Sequence, residues 1–361
     1  MTLLVTGATG FLGGRVVRRY LALGRSVTAL GRNQDRLDEL AALGARIMAR
    51  DLSTPFNEAE IAALRHIRTI VHAAALSSPF GRKRDFWEIN INGTRHMVDL
   101  AERIDAKRFI HISTPAVYYR PADQLGLHEG MELPQPVNHY AGTKRAAEEL
   151  VLSRLGRGTV VLRPRGIYGN GDTALLPRLI TAAKSGPLPL MRGGVAATDI
   201  THVDDVVDAI ISAERAGSSS TRIFNISGGE PINIQALIER VCGELSIPVR
   251  WRAIPTPIAM TAARAAELRA ALTGWRREPR ITRYSLGLLA YTQTLDIGRA
   301  ERNLGWVPRV TLDEGIEEAL SGFRLPAISD QTEVSSPEEC SPHPQEEPSI
   351  EEDNESSKAD A

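Results

Sequence analysis

With 361 residues and 42% hydrophobic content, the chain is long enough for one large domain or two lobes. No apolar run approaches the ~20 residues of a membrane span, and two cysteines, Cys242 and Cys340, are too few for a disulfide framework, so a reducing cytoplasm is the expected compartment. The formal charge of −1 hides an asymmetry. Residues 327–361 carry eleven acids against Lys358, so an acidic segment of net −10 follows a body of +9.

The chain opens on a β-favouring run, Leu3-Leu4-Val5, so no secretory signal is expected ahead of it. Thr6-Gly7-Ala8-Thr9-Gly10-Phe11-Leu12-Gly13 follows, then a helical pattern through Val16, Val17, Tyr20 and Leu21. A glycine-rich turn between strand and helix is the context that marks a dinucleotide site. Gly7 permits the turn, Gly10 lets backbone approach a pyrophosphate, and Gly13 allows close packing of helix on strand. The helix N-terminus would hold the phosphates.

A second strand, Ser26-Val-Thr-Ala-Leu30, ends in Gly31-Arg32-Asn33. NAD sites place a carboxylate at this strand end; NADP sites place an arginine for the 2′-phosphate. Arg32 and the lack of an acid favour NADP, with NAD and a solvated Arg32 as the alternative. A third strand, Arg46-Ile-Met-Ala-Arg50, leads to Asp51-Leu52, a plausible adenine contact; a fourth, Thr69-Ile-Val-His-Ala73-Ala74-Ala75, ends in small residues that leave room for a cofactor.

A fifth strand, Phe109-Ile-His-Ile-Ser113-Thr114, ends in hydroxyls and precedes His139-Tyr140-Ala-Gly-Thr-Lys144. Tyr140 and Lys144 lie one helical turn apart on one face. A phenol has an unperturbed pKa near ~10, and a neighbouring ammonium favours its phenolate, making Tyr140 a usable general acid/base for a carbinol or ketone. Alternation of strands and helices over the first two-thirds predicts a parallel sheet covered on both faces.

Further along, Ile258, Met260, Ala262, Ala265, Ala266, Leu268, Ala271, Leu272 and Trp275 form a helix-like pattern with a broad apolar face. It reads as packing onto a substrate lobe, or else as a lid or an interfacial helix resting on a membrane surface. His72, His111, His139 and His202 are scattered, and no metal cluster is expected. The body lacks a basic helix or stacking platform, which argues against nucleic acid. Residues 327–361 are too polar to offset their ordering entropy and are expected to be a disordered, solvated tail.

The ordered motifs resemble those of an extended short-chain dehydrogenase/reductase over roughly residues 2–325. They are the glycine turn, Asp51-Leu52, His72-Ala-Ala-Ala75, Asn90-Ile-Asn-Gly-Thr94, Ser113-Thr114, Tyr140 with Lys144, Leu162-Arg-Pro164 with Ile167-Tyr168-Gly169, and His202-Val-Asp-Asp205. The resemblance implies a Rossmann-type doubly wound α/β sheet in residues 1–165, with contributions from about 196–226, and a smaller substrate lobe in 166–325. It implies Tyr140 as proton donor, with Lys144 on the nicotinamide ribose and lowering the tyrosine pKa by its charge. Thr114 would meet the substrate oxygen, with Ser113 the adjacent alternative. Asn90 would prop the local backbone, and Pro164 and Ile167 would border the nicotinamide. A homodimer through helices near 87–103 and 140–154 is also implied.

Within that family the chain is similar to the 3β-hydroxysteroid dehydrogenase-like branch, including 2-alkyl-3-oxoalkanoate reductases. Thr198 stands where sugar-nucleotide epimerases commonly carry an arginine, and Leu304-Gly-Trp-Val-Pro308 and the stretch from Arg163 to Asp172 match the reductases. The expected activity is NADP(H)-dependent interconversion of a ketone and a secondary alcohol on an apolar substrate, such as a β-keto acid or sterol. The alternative is a sugar-nucleotide epimerase or dehydratase using bound NAD. Phe80, Phe86, Trp87 and Tyr168 are candidate substrate contacts, and Arg82 and Lys83 could meet a carboxylate.

Overall fold

Seven parallel strands form the central sheet of the computed structural model, which describes residues 2–323 except 79, 218–220, 274–278 and 280. The acidic tail and Trp275 lie outside the described residues. In chain order the first strands are β1 (Thr2–Thr6), β2 (Ser26–Gly31), β3 (Arg46–Ala49), β4 (Thr69–His72), β5 (Arg108–Ile112), β6 (Gln124–Leu127) and β7 (Thr159–Pro164). Then come β8 (Ile167–Tyr168), β9 (Leu188–Leu190), β10 (Ala197–Thr198), β11 (Thr201–His202), β12 (Ile223–Ile226), β13 (Ile232–Asn233), β14 (Trp251–Ala253) and β15 (Gln293–Leu295). The large sheet runs β12-β7-β5-β4-β1-β2-β3, a doubly wound order that reverses between β1 and β4. β7 is buried along its whole length, as a central strand covered on both faces must be.

The first eight helices are α1 (Phe11–Ala22), α2 (Gln34–Ala42), α3 (Glu58–Leu64), α4 (Lys83–Phe86), α5 (Gly93–Arg103), α6 (His139–Arg154), α7 (Leu175–Ser185) and α8 (Val203–Arg215), and α1, α3, α5, α6 and α8 cover the sheet. One core layer joins Val16, Val17 and Tyr20 of α1 with Val206 and Ile210 of α8. The opposite layer joins Ile61 of α3, Met97 and Val98 of α5, and Val151 of α6. These stripes recur at three- and four-residue spacing, so each helix can bury only that face.

The later helices are α9 (Ile234–Glu244), α10 (Thr256–Leu272), α11 (Arg283–Ala290), α12 (Gly298–Leu304) and α13 (Leu312–Ser321). A four-stranded sheet, β13-β10-β15-β6, and two strand pairs accompany them. α10 buries Ala259 and Ala263 in a cluster with Leu286 and Ala290 of α11, while Ile258, Leu268 and Leu272 stay exposed. No described helix is long and apolar enough to cross a membrane.

Candidate active site

The strand-order reversal puts a crevice at the carboxyl ends of β1 and β4, where open α/β sheets bind ligands. Gly7 adopts φ +67°, and a Cβ there would sit 2.8 Å from the Ala74 nitrogen. A Cβ on Gly13 would overlap the Gly7 carbonyl oxygen. Both positions therefore require glycine. Gly10 caps α1 without a side-chain hydrogen bond, and no acid occupies the first turn, so the helix N-terminus presents its N–H groups and dipole to an anion. Thr9 lies against the end of β2 at Gly31, and Phe11 and Leu12 are half-buried at the start of α1. The Thr6 hydroxyl receives the Ala74 N–H at 3.2 Å and lies 2.8 Å from His72 Nδ1, fastening the ends of β1 and β4 together. This cradle fits the pyrophosphate of a dinucleotide.

Arg32 follows β2 with 67% of its side chain exposed, and the Asp51 carboxylate lies 3.8 Å away. The Ser53 backbone N–H, and secondarily Arg32, hold Asp51 below the usual carboxylate range. Leu52 is buried, and its carbonyl lies 2.7 Å from His96 Nδ1. β4 stops at His72, so Ala73, Ala74 and Ala75 line the crevice as half-buried loop rather than strand.

α6 starts where the Asn138 side chain accepts from the Ala141 N–H at 2.8 Å, which places Tyr140 in the first turn. Burial raises the Tyr140 pKa above its ordinary value, and hydrogen bonds with Ser77 and Thr114 pull it back down. Thr114 follows β5, and its hydroxyl also accepts from the Ala116 N–H at 3.2 Å. Lys144 is turned elsewhere: it donates to the Ile112 carbonyl at 2.6 Å and lies 3.3 Å from His111 Nε2. Burial lowers its pKa to about 8, opposed by Glu148. Burial is thus the larger influence on the phenol, and the two hydroxyls oppose it.

Asn90 is 2% exposed and sits in a single-turn π-helix, Trp87–Asn92, ahead of α5. Such wide turns are frequent at functional sites. Its Oδ1 accepts from the Leu76 N–H at 2.7 Å, and its Nδ2 donates to the Leu76 carbonyl and the Thr143 hydroxyl at 3.3 and 3.1 Å. That clamp fixes the residue just before Ser77. Ser113 instead donates to the Glu148 carboxylate, which also takes the Arg163 guanidinium.

Other candidates are placed apart. Arg82 is 65% exposed and paired with Asp85 at 2.9 Å. Phe80 is half-buried, and its backbone is held by Ser78. Trp87 is about half exposed, at 47%. Tyr168 is buried beside α13, edge-on to His202 at 5.5 Å and against Gly315, in a cluster that does not include Tyr140. Pro164 ends β7 at the carboxyl edge, and Ile167 packs on the core in β8. Sequence reasoning did not give Ser77, Glu148 or His111 a role at the site. Ser77 had no helical register to announce it, and the other two read as ordinary helix and strand positions.

Comparison with known proteins matches residues 3–227 to the NAD dependent epimerase/dehydratase family. A 4-hydroxy-2-methyl-3-oxo-4-farnesyl-3,4-dihydroquinoline-1-oxide ketoreductase of Stigmatella aurantiaca is 32% identical over 88% of this chain and 95% of its own. A 2-alkyl-3-oxoalkanoate reductase of Stenotrophomonas maltophilia is 30% identical over 88% and 97%. The solved structure of MoeE5 in complex with UDP-glucose and NAD superposes with a TM-score of 0.68 at 25% identity, over 90% of this chain and 98% of that one. The chain belongs to the NAD dependent epimerase/dehydratase family and is an NAD(P)-dependent dehydrogenase/reductase of the extended short-chain type.

Proposed function

We propose that the protein is an NADP(H)-dependent reductase that interconverts a 3-oxo group and a 3-hydroxyl on an apolar substrate, with β-keto acids and sterols the leading classes. The observation that carries this reading is the half-buried Tyr140 phenol, within the influence of the Thr114 and Ser77 hydroxyls in the first turn of α6, one helical turn from Lys144. The cofactor, when bound, supplies or accepts the hydride. Gly7, Thr9, Gly10, Phe11, Leu12 and Gly13 hold its pyrophosphate, Arg32 its 2′-phosphate, Asp51 and Leu52 its adenine, and Ala73, Ala74, Ala75, Pro164 and Ile167 the remaining walls. Thr114 and Tyr140 bond the substrate oxygen, and Tyr140 passes its proton to that oxygen. The Lys144 charge steadies the phenolate left behind, and Asn90 keeps Ser77 in place. Similarity to a ketoreductase and a 3-oxoalkanoate reductase along nearly their whole lengths supports the substrate class. Two copies pair through α5 and α6, whose outer turns Arg154 ties together by its bonds to Asp99 and Glu102.

The test is NADPH oxidation with a panel of 3-oxo acids and 3-oxosteroids. Tyr140→Phe should lower kcat about 10²- to 10⁴-fold with NADPH binding retained. Turnover at the parental rate would remove Tyr140 as the acid. The likeness to the UDP-glucose-bound MoeE5 favours a second reading, epimerisation or dehydration of a sugar nucleotide on retained NAD. NAD surviving purification, together with turnover of a UDP-sugar, would select it.

A further inference from the structure

Arg165 leaves the end of β7 at the edge of the sheet that carries the catalytic hydroxyls. β7 lies beside β5 with Leu162 opposite Ile112, and the Ser113 N–H donates to the Leu162 carbonyl at 2.7 Å. Thr114 is therefore level with Pro164, and Arg165 is the next residue along the neighbouring strand. Arg165 is 8% exposed. Nε and Nη2 donate to the Thr198 hydroxyl at 3.1 and 2.9 Å, and Nη1 donates to the Gln293 side-chain oxygen. Thr198 and Gln293 are register partners on β10 and β15, so two adjacent strands seat the fork.

All of these acceptors are neutral. Among the described residues Arg165 has no carboxylate within 4 Å, whereas Arg163, also buried, is paired with Glu148. Asp199 acts on Arg165 only at longer range; it accepts from the Leu295 N–H at 2.7 Å, and its Oδ1 is buried without a partner. A guanidinium has five N–H groups, and three suffice for these bonds, which leaves two for a ligand. A buried cation needs an anionic partner, and the planar fork matches a carboxylate. Tyr284 lies within electrostatic range of both Arg165 and Tyr140. It stands on α11 with its ring edge-on to Tyr119 at 5.1 Å. Tyr119 Oη lies where Gly287 would place a Cβ, which seats α11 against this wall.

We infer that Arg165, flanked by Tyr284, is the group that recognises a substrate carboxylate beside the reacting carbonyl, so that the substrate is a 3-oxo or 3-hydroxy acid and not a neutral ketone. This rests on the 3-oxo reductase reading above. In such an acid the carboxylate is two bonds from the carbon that takes the hydride, so the anion group and the proton donor must be neighbours. Arg82, paired with Asp85 at the surface, is the poorer cation for that role.

The experiment compares a long-chain 3-oxo acid with its methyl ester, using NADPH. The parent should favour the acid in kcat/KM by roughly 10- to 100-fold, the worth of a charge-assisted pair. Arg165→Met should bring that ratio near one, chiefly through the KM of the acid, and Arg165→Lys should fall between. Equal use of acid and ester by the parent overturns the assignment whether or not the variants fold, and an unchanged ratio in Arg165→Met overturns it as well. If the parent reduces neither compound, calorimetry of the 3-hydroxy acid and its ester against the protein with NADP separates the two claims. Acid-only binding keeps the carboxylate site and discards the reductase; equal binding or none discards both.

Discussion

The Lys144 ammonium and His111 Nε2 stand 3.3 Å apart, so a buried cation faces a buried imidazole. Burial, and then the Lys144 charge, push the His111 pKa well below its ordinary value, and the same two causes lower His72 to about 3. Both rings are neutral at physiological pH, and Lys144 carries the only charge in this contact. Glu148, farther along α6, acts on it from a distance.

A pH dependence follows from the depressed Lys144 value of about 8 against the ordinary lysine value of 10.5. Between those pH values the unfolded chain binds more protons than the native state, so this group makes stability rise with pH across the window. Below pH 8 the full cost is present, about 3 kcal/mol. Relative to the parent, Lys144→Met should be most favoured at pH 7, and its advantage should shrink towards pH 10. Urea denaturation at both pH values measures it, and parallel pH profiles would refute the buried-cation account.

Glu148 and Arg163 form the other buried charge contact, with side chains 3% and 2% exposed. Removing one partner leaves the other charge uncompensated, which typically costs about 3–5 kcal/mol. Glu148→Gln should destabilise by that amount, and the exposed Glu149→Gln by no more than about 0.5 kcal/mol. Equal, small effects in chemical denaturation would show that the pair contributes little.

Much of this frame was legible beforehand because its signals are local. The turn from Gly7 to Gly13 sits between a strand and a helix, and Tyr140 and Lys144 sit one turn apart on a capped helix. The rest is non-local. Nothing near Ser77 in sequence says that Asn90, thirteen residues on, will clamp Leu76 and so steady it. Arg165 reads as one more surface base until β10 and β15 fold against it. The direction of Lys144 also escaped, because spacing fixes which face a side chain occupies and not which acceptor on that face is closer. Here the Ile112 carbonyl is 2.6 Å away.

Gly13→Ala tests the cofactor cradle. Its Cβ would overlap the Gly7 carbonyl oxygen and reach 3.0 Å from the Ala8 Cα, both backbone atoms that cannot rotate away. The turn must open, so NADPH affinity should fall by roughly 100-fold or more, with a loss of about 1–3 kcal/mol in stability. Gly24→Ala is the control for backbone strain without crowding, because Gly24 has φ +69° with nothing within 4 Å of its Cβ. It should lose stability but keep cofactor affinity. Equal retention of NADPH by both variants would mean that the dinucleotide lies elsewhere.

On the proposed reading, coenzyme choice turns on Arg32 and the carboxylate beside it. At 3.8 Å and high exposure, the Arg32–Asp51 pair is a weak surface contact that leaves the guanidinium available to a 2′-phosphate. Arg32→Ala should therefore weaken NADPH binding about 10-fold with little change for NADH, and the difference should shrink as salt is raised. Asp51→Asn should act the other way on NADPH, because it removes the nearest negative charge from the phosphate's surroundings. Fluorescence titration of both cofactors at two ionic strengths measures these effects. An NADPH-to-NADH ratio unmoved by Arg32→Ala would assign the 2′-phosphate to another residue.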